Sequence, residues 1–146
     1  MIPRFGEPPR KDVKYTLRPG AYAILPRGRH VLLTVQLDLE WDVQLPGGGI
    51  DPGESPLQAL HREVLEETGW RVAAPRRLGV FQRFVFMEDY DLWAQKMCTI
   101  YVAHPVRQIA EPTEAGHRTL WVGFDDAVHE LGNEGDRSIL RAYCGV

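Results

Sequence analysis

Cysteine is scarce in this chain: its 146 residues hold only Cys98 and Cys144. Neither belongs to a CxxC pair or a Cys/His ligand pattern, so no cysteine metal site is indicated. Cys98 lies in an apolar run and reads as a buried thiol, and both thiols fit a reduced, cytoplasmic setting. Long hydrophobic runs are missing too. None approaches the ~18 residues a membrane helix needs. Positive charge is not in excess, since the net charge is −3. That argues against broad binding of a nucleic-acid polymer, while leaving room for a nucleotide pocket with a few local cations. Internal repeats and low-complexity tracts are absent. The first residues, MIPRFGEPP, are too broken by proline and charge for a signal peptide.

What remains is an ordinary globular composition, 44% apolar and 25% charged. It predicts one domain over 1–146 with an arm over 1–14. Strands are expected at 21–25, 30–36, 42–45, 71–73, 78–86, 95–106 and 120–122. The first two are expected to pair as a hairpin about Pro26–Arg29. Helices are expected at 56–68, 125–131 and 136–143. The 95–106 segment is apolar on both alternating sets, which implies a strand covered on both faces. Strands with helices on both sides make an α/β/α sandwich.

The chemistry concentrates in GGIDPGESPLQALHREVLEETGW, residues 48 to 70. Ser55 suits an N-cap, Pro56 the first helical position, and Gln58 completes a capping box. Leu57, Leu60 and Val64 recur at helical spacing as the expected buried stripe, and Gly69 is a natural stop. Glu63, Glu66 and Glu67 then lie three and four residues apart near the helix C-terminus. Like charges at that spacing repel, and the helix dipole there already favours cations. A hard divalent cation reverses both penalties, because Mg²⁺ prefers carboxylate oxygens. Many acidic helix faces are merely solvated. Here a side-chain-poor loop, Gly47-Gly48-Gly49 with Asp51-Pro52-Gly53, precedes the helix and can bring backbone close to a metal or phosphate.

The same segment resembles the Nudix box, G-x5-E-x7-R-E-U-x-E-E-x-G-U, where U is bulky and apolar. Gly48, Glu54, Arg62, Glu63, Val64, Glu66, Glu67, Gly69 and Trp70 fill every specified position. A chance match in one window is on the order of one in 10⁹. Trp70 stands where Ile, Leu or Val is more usual. The resemblance implies a Nudix-type α/β/α sandwich with a mixed sheet. It also implies Mg²⁺-dependent hydrolysis, Mn²⁺ being the alternative ion, of a phosphoanhydride in a nucleoside diphosphate linked to another moiety. By position, Glu63, Glu66, Glu67 and the Gly48 carbonyl match metal ligands. Arg62 matches the arginine that orients the acids, and Glu54 the acid that supports the loop–helix geometry. Homodimers are frequent in that family. Glu66 and Glu67 are also candidate catalytic groups.

The resemblance also implies a general base, or one more metal ligand, outside the box, before a late strand containing Trp; Glu114 is preferred over Glu111, with His117 as an adjunct. Arg18, Arg27, Arg83 and Lys96 are candidate phosphate cations. Tyr22, Phe84, Tyr90 and Trp93 are candidate stacking rings. Phe81, Phe84 and Phe86 are expected as a row on one strand face. The competing function is a catalytically silent nucleotide-binding regulator on the same scaffold, which would be expected to have lost box acids.

Overall fold

The computed structural model describes residues 1–37, 42–113 and 115–146. The chain runs β1 (Arg4–Phe5), β2 (Thr16–Ile24), β3 (Pro26–Arg27), β4 (His30–Gln36), β5 (Asp42–Gln44), β6 (Gly47–Gly49) and α1 (Pro56–Thr68). It continues with β7 (Trp70–Met87), β8 (Leu92–Gln108), β9 (His117–Gly123), α2 (Phe124–Glu130) and α3 (Glu134–Cys144). One sheet is mixed, with five strands in the order β1-β7-β8-β2-β6. A second sheet holds β3, β4 and β5, with β9 paired to β4.

Helices cover opposite faces. On one side α1 packs Leu60 and Val64 against Ala21, Ala23, Leu32, Tyr101 and Ala103. On the other, Ala127, Val128, Leu131 and Leu140 of α2 and α3 meet Ile24, Val31, Leu33, Val35, Cys98 and Ile100. Strand alternation explains the split. In β4, Val31, Leu33 and Val35 serve one core and Leu32 the other. In β8, Cys98 and Ile100 face one side while Tyr101 and Ala103 face the other, as the two-faced apolar pattern predicts. The sandwich is therefore an α/β/α one.

Three expectations change. The residues 21–25 and 30–36 do not pair as a hairpin. Strand β2 instead runs parallel to β8 through nine register pairs, Thr16↔Ala94 to Ile24↔Val102. The chain crosses to the second sheet at Leu25, and only Pro26–Arg27 folds back on His30–Val31. The stretches 71–73 and 78–86 are one strand, broken in register between Ala73 and Arg76. A bulge there absorbs Pro75, which cannot donate to a ladder. The aromatic row divides: Phe81 is buried in the core, whereas Phe86 is exposed. Positions 81 and 84 differ in parity, so they point to opposite faces. The N-terminal arm contributes β1, parallel to β7 at Gln82 and Arg83.

Candidate functional site

Helix α1 spans 56–68 as its sequence predicts, because both ends carry their own stop signals. The Ser55 Oγ accepts from the Gln58 N–H at 3.1 Å, and the Ser55 N–H donates to Gln58 Oε1 at 2.8 Å. At the other end Gly69 has φ +74°, and a Cβ there would lie 1.8 Å from the Ala110 carbonyl oxygen. Glycine is required on both counts. The Thr113 N–H donates to the Glu66 carbonyl at 2.8 Å, which ties Thr113 to the acidic end of α1. Glu114 itself lies outside the described residues. Glu111 is exposed.

Helical spacing sorts the three acids. Leu60, Val64 and Glu67 share the buried side, leaving Glu67 only 5% exposed. Leu57 falls off that stripe and is 42% exposed, contrary to expectation; Ala59 is buried instead. Glu67 Oε1 accepts from the Gly47 N–H at 2.8 Å, and its Oε2 lies 3.6 Å from His117 Nδ1. The Glu63 carboxylate lies against Gly48, where a Cβ would come within 2.5 Å of it. Glu66 turns elsewhere: its Oε2 accepts from Arg62 at 3.3 Å, and the side chain is 39% exposed.

Arg62 ties this cluster together. Its Nε and Nη2 grip Glu54 at 2.6 and 2.9 Å. Its Nη1 reaches Glu63 at 3.0 Å, and Nη2 also donates to the Gly49 carbonyl at 3.0 Å. The guanidinium, with a hydrogen bond from the Asp51 N–H, holds the Glu54 carboxyl down at about 2. Those same carboxylates, Glu54 first, push the Arg62 pKa still higher. Arg62 and Glu54 thus stay charged and fix the loop to the helix.

An open cleft of about 340 Å³ lies over this cluster. Its walls include Gly47–Gly49, Glu63, Glu67 and His117, with Arg18, Lys96, Tyr22 and Tyr90. Arg18 stacks over the Tyr90 ring at 4.6 Å. Among the expected cations, Arg27 is not in the cleft. It lies between Trp70 and Trp121, at 4.7 and 5.1 Å, and donates to the Pro105 carbonyl. Among the expected rings, Phe84 packs on Tyr15 and Trp93 on Phe86, away from the cleft. His117, expected as an adjunct to the general base, is largely buried beside Glu67.

The donor set fits a hard divalent cation. Glu63, Glu67 and the backbone of Gly48 offer oxygen around a position that no side chain at residue 48 could share. Among the described residues, no group of three or more His, Cys, Asp or Glu side chains is gathered as a metal site. On the helix, Glu66 is held to the side by Arg62.

Behind the cleft is a smaller chamber of about 70 Å³. It shares Tyr22, Gln44 and Lys96 with the cleft and adds Asp42, Phe81, Arg83, Asn133 and Asp136. Asp136 is 5% exposed, and burial raises its carboxyl to about 6. Its Oδ2 accepts a long 3.4 Å bond from the Leu45 N–H. Sequence reasoning missed this residue. The signal was Asn133 three positions earlier, which caps α3 by accepting from the Asp136 N–H at 2.8 Å.

The NUDIX domain family model matches residues 16–143. The chain belongs to the NUDIX family. A Bacillus subtilis relative provisionally named 8-oxo-dGTP diphosphatase is 43% identical over 76 residues, which is 51% of this chain and 50% of that protein. A Helicobacter pylori protein named RNA pyrophosphohydrolase is 47% identical over 57 residues, 36% of this chain and 37% of its own. The chain thus spans half or less of these curated relatives. A NUDIX hydrolase structure from Nitrosomonas europaea superposes with a TM-score of 0.74 over 89% of this chain and 90% of its own, at 19% identity. That last likeness concerns the fold. Among the described residues, no helix of this NUDIX chain is long and apolar enough to cross a membrane.

Proposed function

We propose that this NUDIX chain is a divalent-cation-dependent hydrolase that cleaves a phosphoanhydride bond in a nucleoside diphosphate linked to another moiety. The observation that carries the reading is the meeting of Glu63, Glu67 and side-chain-free Gly48 in one cleft whose walls also hold Arg18 and Lys96. Glu63, Glu67 and the Gly48 carbonyl would hold Mg²⁺ or Mn²⁺, and Glu66 would join them by leaving its hydrogen bond with Arg62. The bound ion supplies charge neutralisation and polarisation of the phosphate oxygens. Arg18 binds and orients the diphosphate. Arg62 keeps the acids in place through Glu54 and the Gly49 carbonyl. A carboxylate accepts the proton of the attacking water: Glu67 in the cleft, or Glu114. His117 beside Glu67 orients that carboxylate.

A free nucleotide suits this site better than a polymer end, because the chain carries a net charge of −3 and has no excess cation to hold a nucleic-acid backbone. The test is a panel of nucleoside triphosphates, nucleotide sugars, dinucleoside polyphosphates, ADP-ribose and a 5′-triphosphorylated oligonucleotide, with Mg²⁺ or with EDTA. Turnover of one small-nucleotide class, stopped by EDTA, is expected. Silence with ligand-induced thermal stabilisation would favour the silent regulator, and preference for the oligonucleotide would overturn the small-molecule reading.

A further inference from the structure

The inner chamber has a lining that the hydrolytic chemistry does not use. Arg83 and Lys96 sit directly opposite each other in the β7–β8 register. Two like charges so placed destabilise a sheet unless something answers them. They share a face with the next pair inward, Phe81↔Cys98, so both point toward the chamber. Across from them is the buried Asp136 carboxylate, yet among the described residues neither cation forms an ion pair. A carboxylate and two cations therefore face a common space without bonding one another.

By the measure of one water per roughly 10–15 Å³, that space is several waters in size. It exceeds a single bridging water and admits one edge of a heterocycle. The mixed lining also argues against a phosphate here. Asp42 and Asp136 would repel an anion, whereas a neutral group with adjacent donor and acceptor meets both signs. Tyr22 and Phe81 supply aromatic walls. Tyr22 also lines the cleft, so a group in the chamber stays connected to phosphates over Gly48 and Glu63.

We propose that the chamber is a specificity pocket for a nucleobase with a lactam edge, an N–H beside a C=O as in guanine, hypoxanthine or uracil. Asp136 accepts from the ring N–H, and Lys96, with Arg83 behind it, donates to the carbonyl oxygen. Adenine and cytosine present a ring-nitrogen acceptor beside an amino donor. Either would set an acceptor against the carboxylate and a donor against the ammonium, so the pocket rejects them. The proposal rests on the nucleotide-hydrolase reading for the connection to the cleft, but its test does not depend on turnover.

The test is calorimetric titration of the full chain with GMP, IMP, UMP, AMP and CMP in EDTA, so that neither metal nor turnover enters. The three lactam nucleotides are expected to bind about ten- to a hundredfold more tightly than AMP and CMP. Asp136→Asn keeps the shape and an oxygen for the Leu45 N–H, and should erase most of that preference. Lys96→Met, a second variant should the first misfold, should weaken the lactam nucleotides more than AMP. Equal binding of all five by wild type, no binding of any, or an unchanged GMP-to-AMP ratio in Asp136→Asn would each overturn the pocket and leave a water-filled chamber. A hydrolase without base preference would lose only this inference. A lactam preference without any turnover would keep the pocket and overturn the catalytic reading.

Discussion

Glu67→Gln is expected to lower turnover by about a thousandfold while leaving the fold intact. The substitution keeps the side chain's size and keeps an oxygen to accept from the Gly47 N–H, so the tie between β6 and α1 survives. It removes the negative charge from the most buried acid of the cleft and the ability to accept a proton. Both proposed roles, metal ligand and proton acceptor, are lost together. Steady-state kinetics with Mg²⁺, beside circular dichroism and thermal melting, read the two effects separately. Full activity in a folded variant would remove Glu67 from the mechanism.

Arg62→Met is expected to cost about a hundredfold in turnover, because preorganised placement rather than direct chemistry is lost. Glu54, Glu63 and Glu66 each accept a hydrogen bond from this one guanidinium. Without it the acids repel, and the loop at Gly49 loses its anchor. Arg62→Lys should recover only part of the loss, since an ammonium cannot grip Glu54 through two parallel bonds. A pH signature accompanies the effect. Glu54 is depressed from 4.5 to about 2, so its contribution to stability is full above pH 4.5 and is lost as pH falls through about 2. Thermal melts of wild type between pH 5 and 2 should show that loss, and Arg62→Met should not. Equal acid sensitivity in the two proteins would contradict the pairing.

The parts of this structure written locally are legible in the sequence. Helix α1 carries a capping box at Ser55 and Gln58 and a glycine stop at Gly69, so its bounds follow from adjacent residues. The two-faced pattern of β8 is equally local. The box acids could be placed on one helix, and spacing from Leu60 also implies that Glu67 is the inward one. What local pattern cannot carry is pairing between distant strands. The crossing from β2 to β4 at Leu25 looks like a hairpin, because Pro26-Arg27-Gly28 has ordinary turn chemistry. Only the nine-residue match with β8 draws β2 into the other sheet. His117 gains its place beside Glu67 because β9 aligns it opposite Gln36 of β4. The inner chamber needs β5, β7, β8 and the start of α3 at once, so Asp136 did not stand out along the chain, and Arg83 and Lys96 read there only as candidate phosphate cations.

The most direct test of the proposed metal site in the cleft is a Mn²⁺ titration followed by the electron-spin-resonance signal of the free ion, on wild type and Glu63→Gln, with Mg²⁺ as competitor. Saturable binding by wild type, displaced by Mg²⁺ and weakened about tenfold or more in Glu63→Gln, is the predicted result. Identical curves for the two proteins, or no saturable binding by wild type, would contradict it.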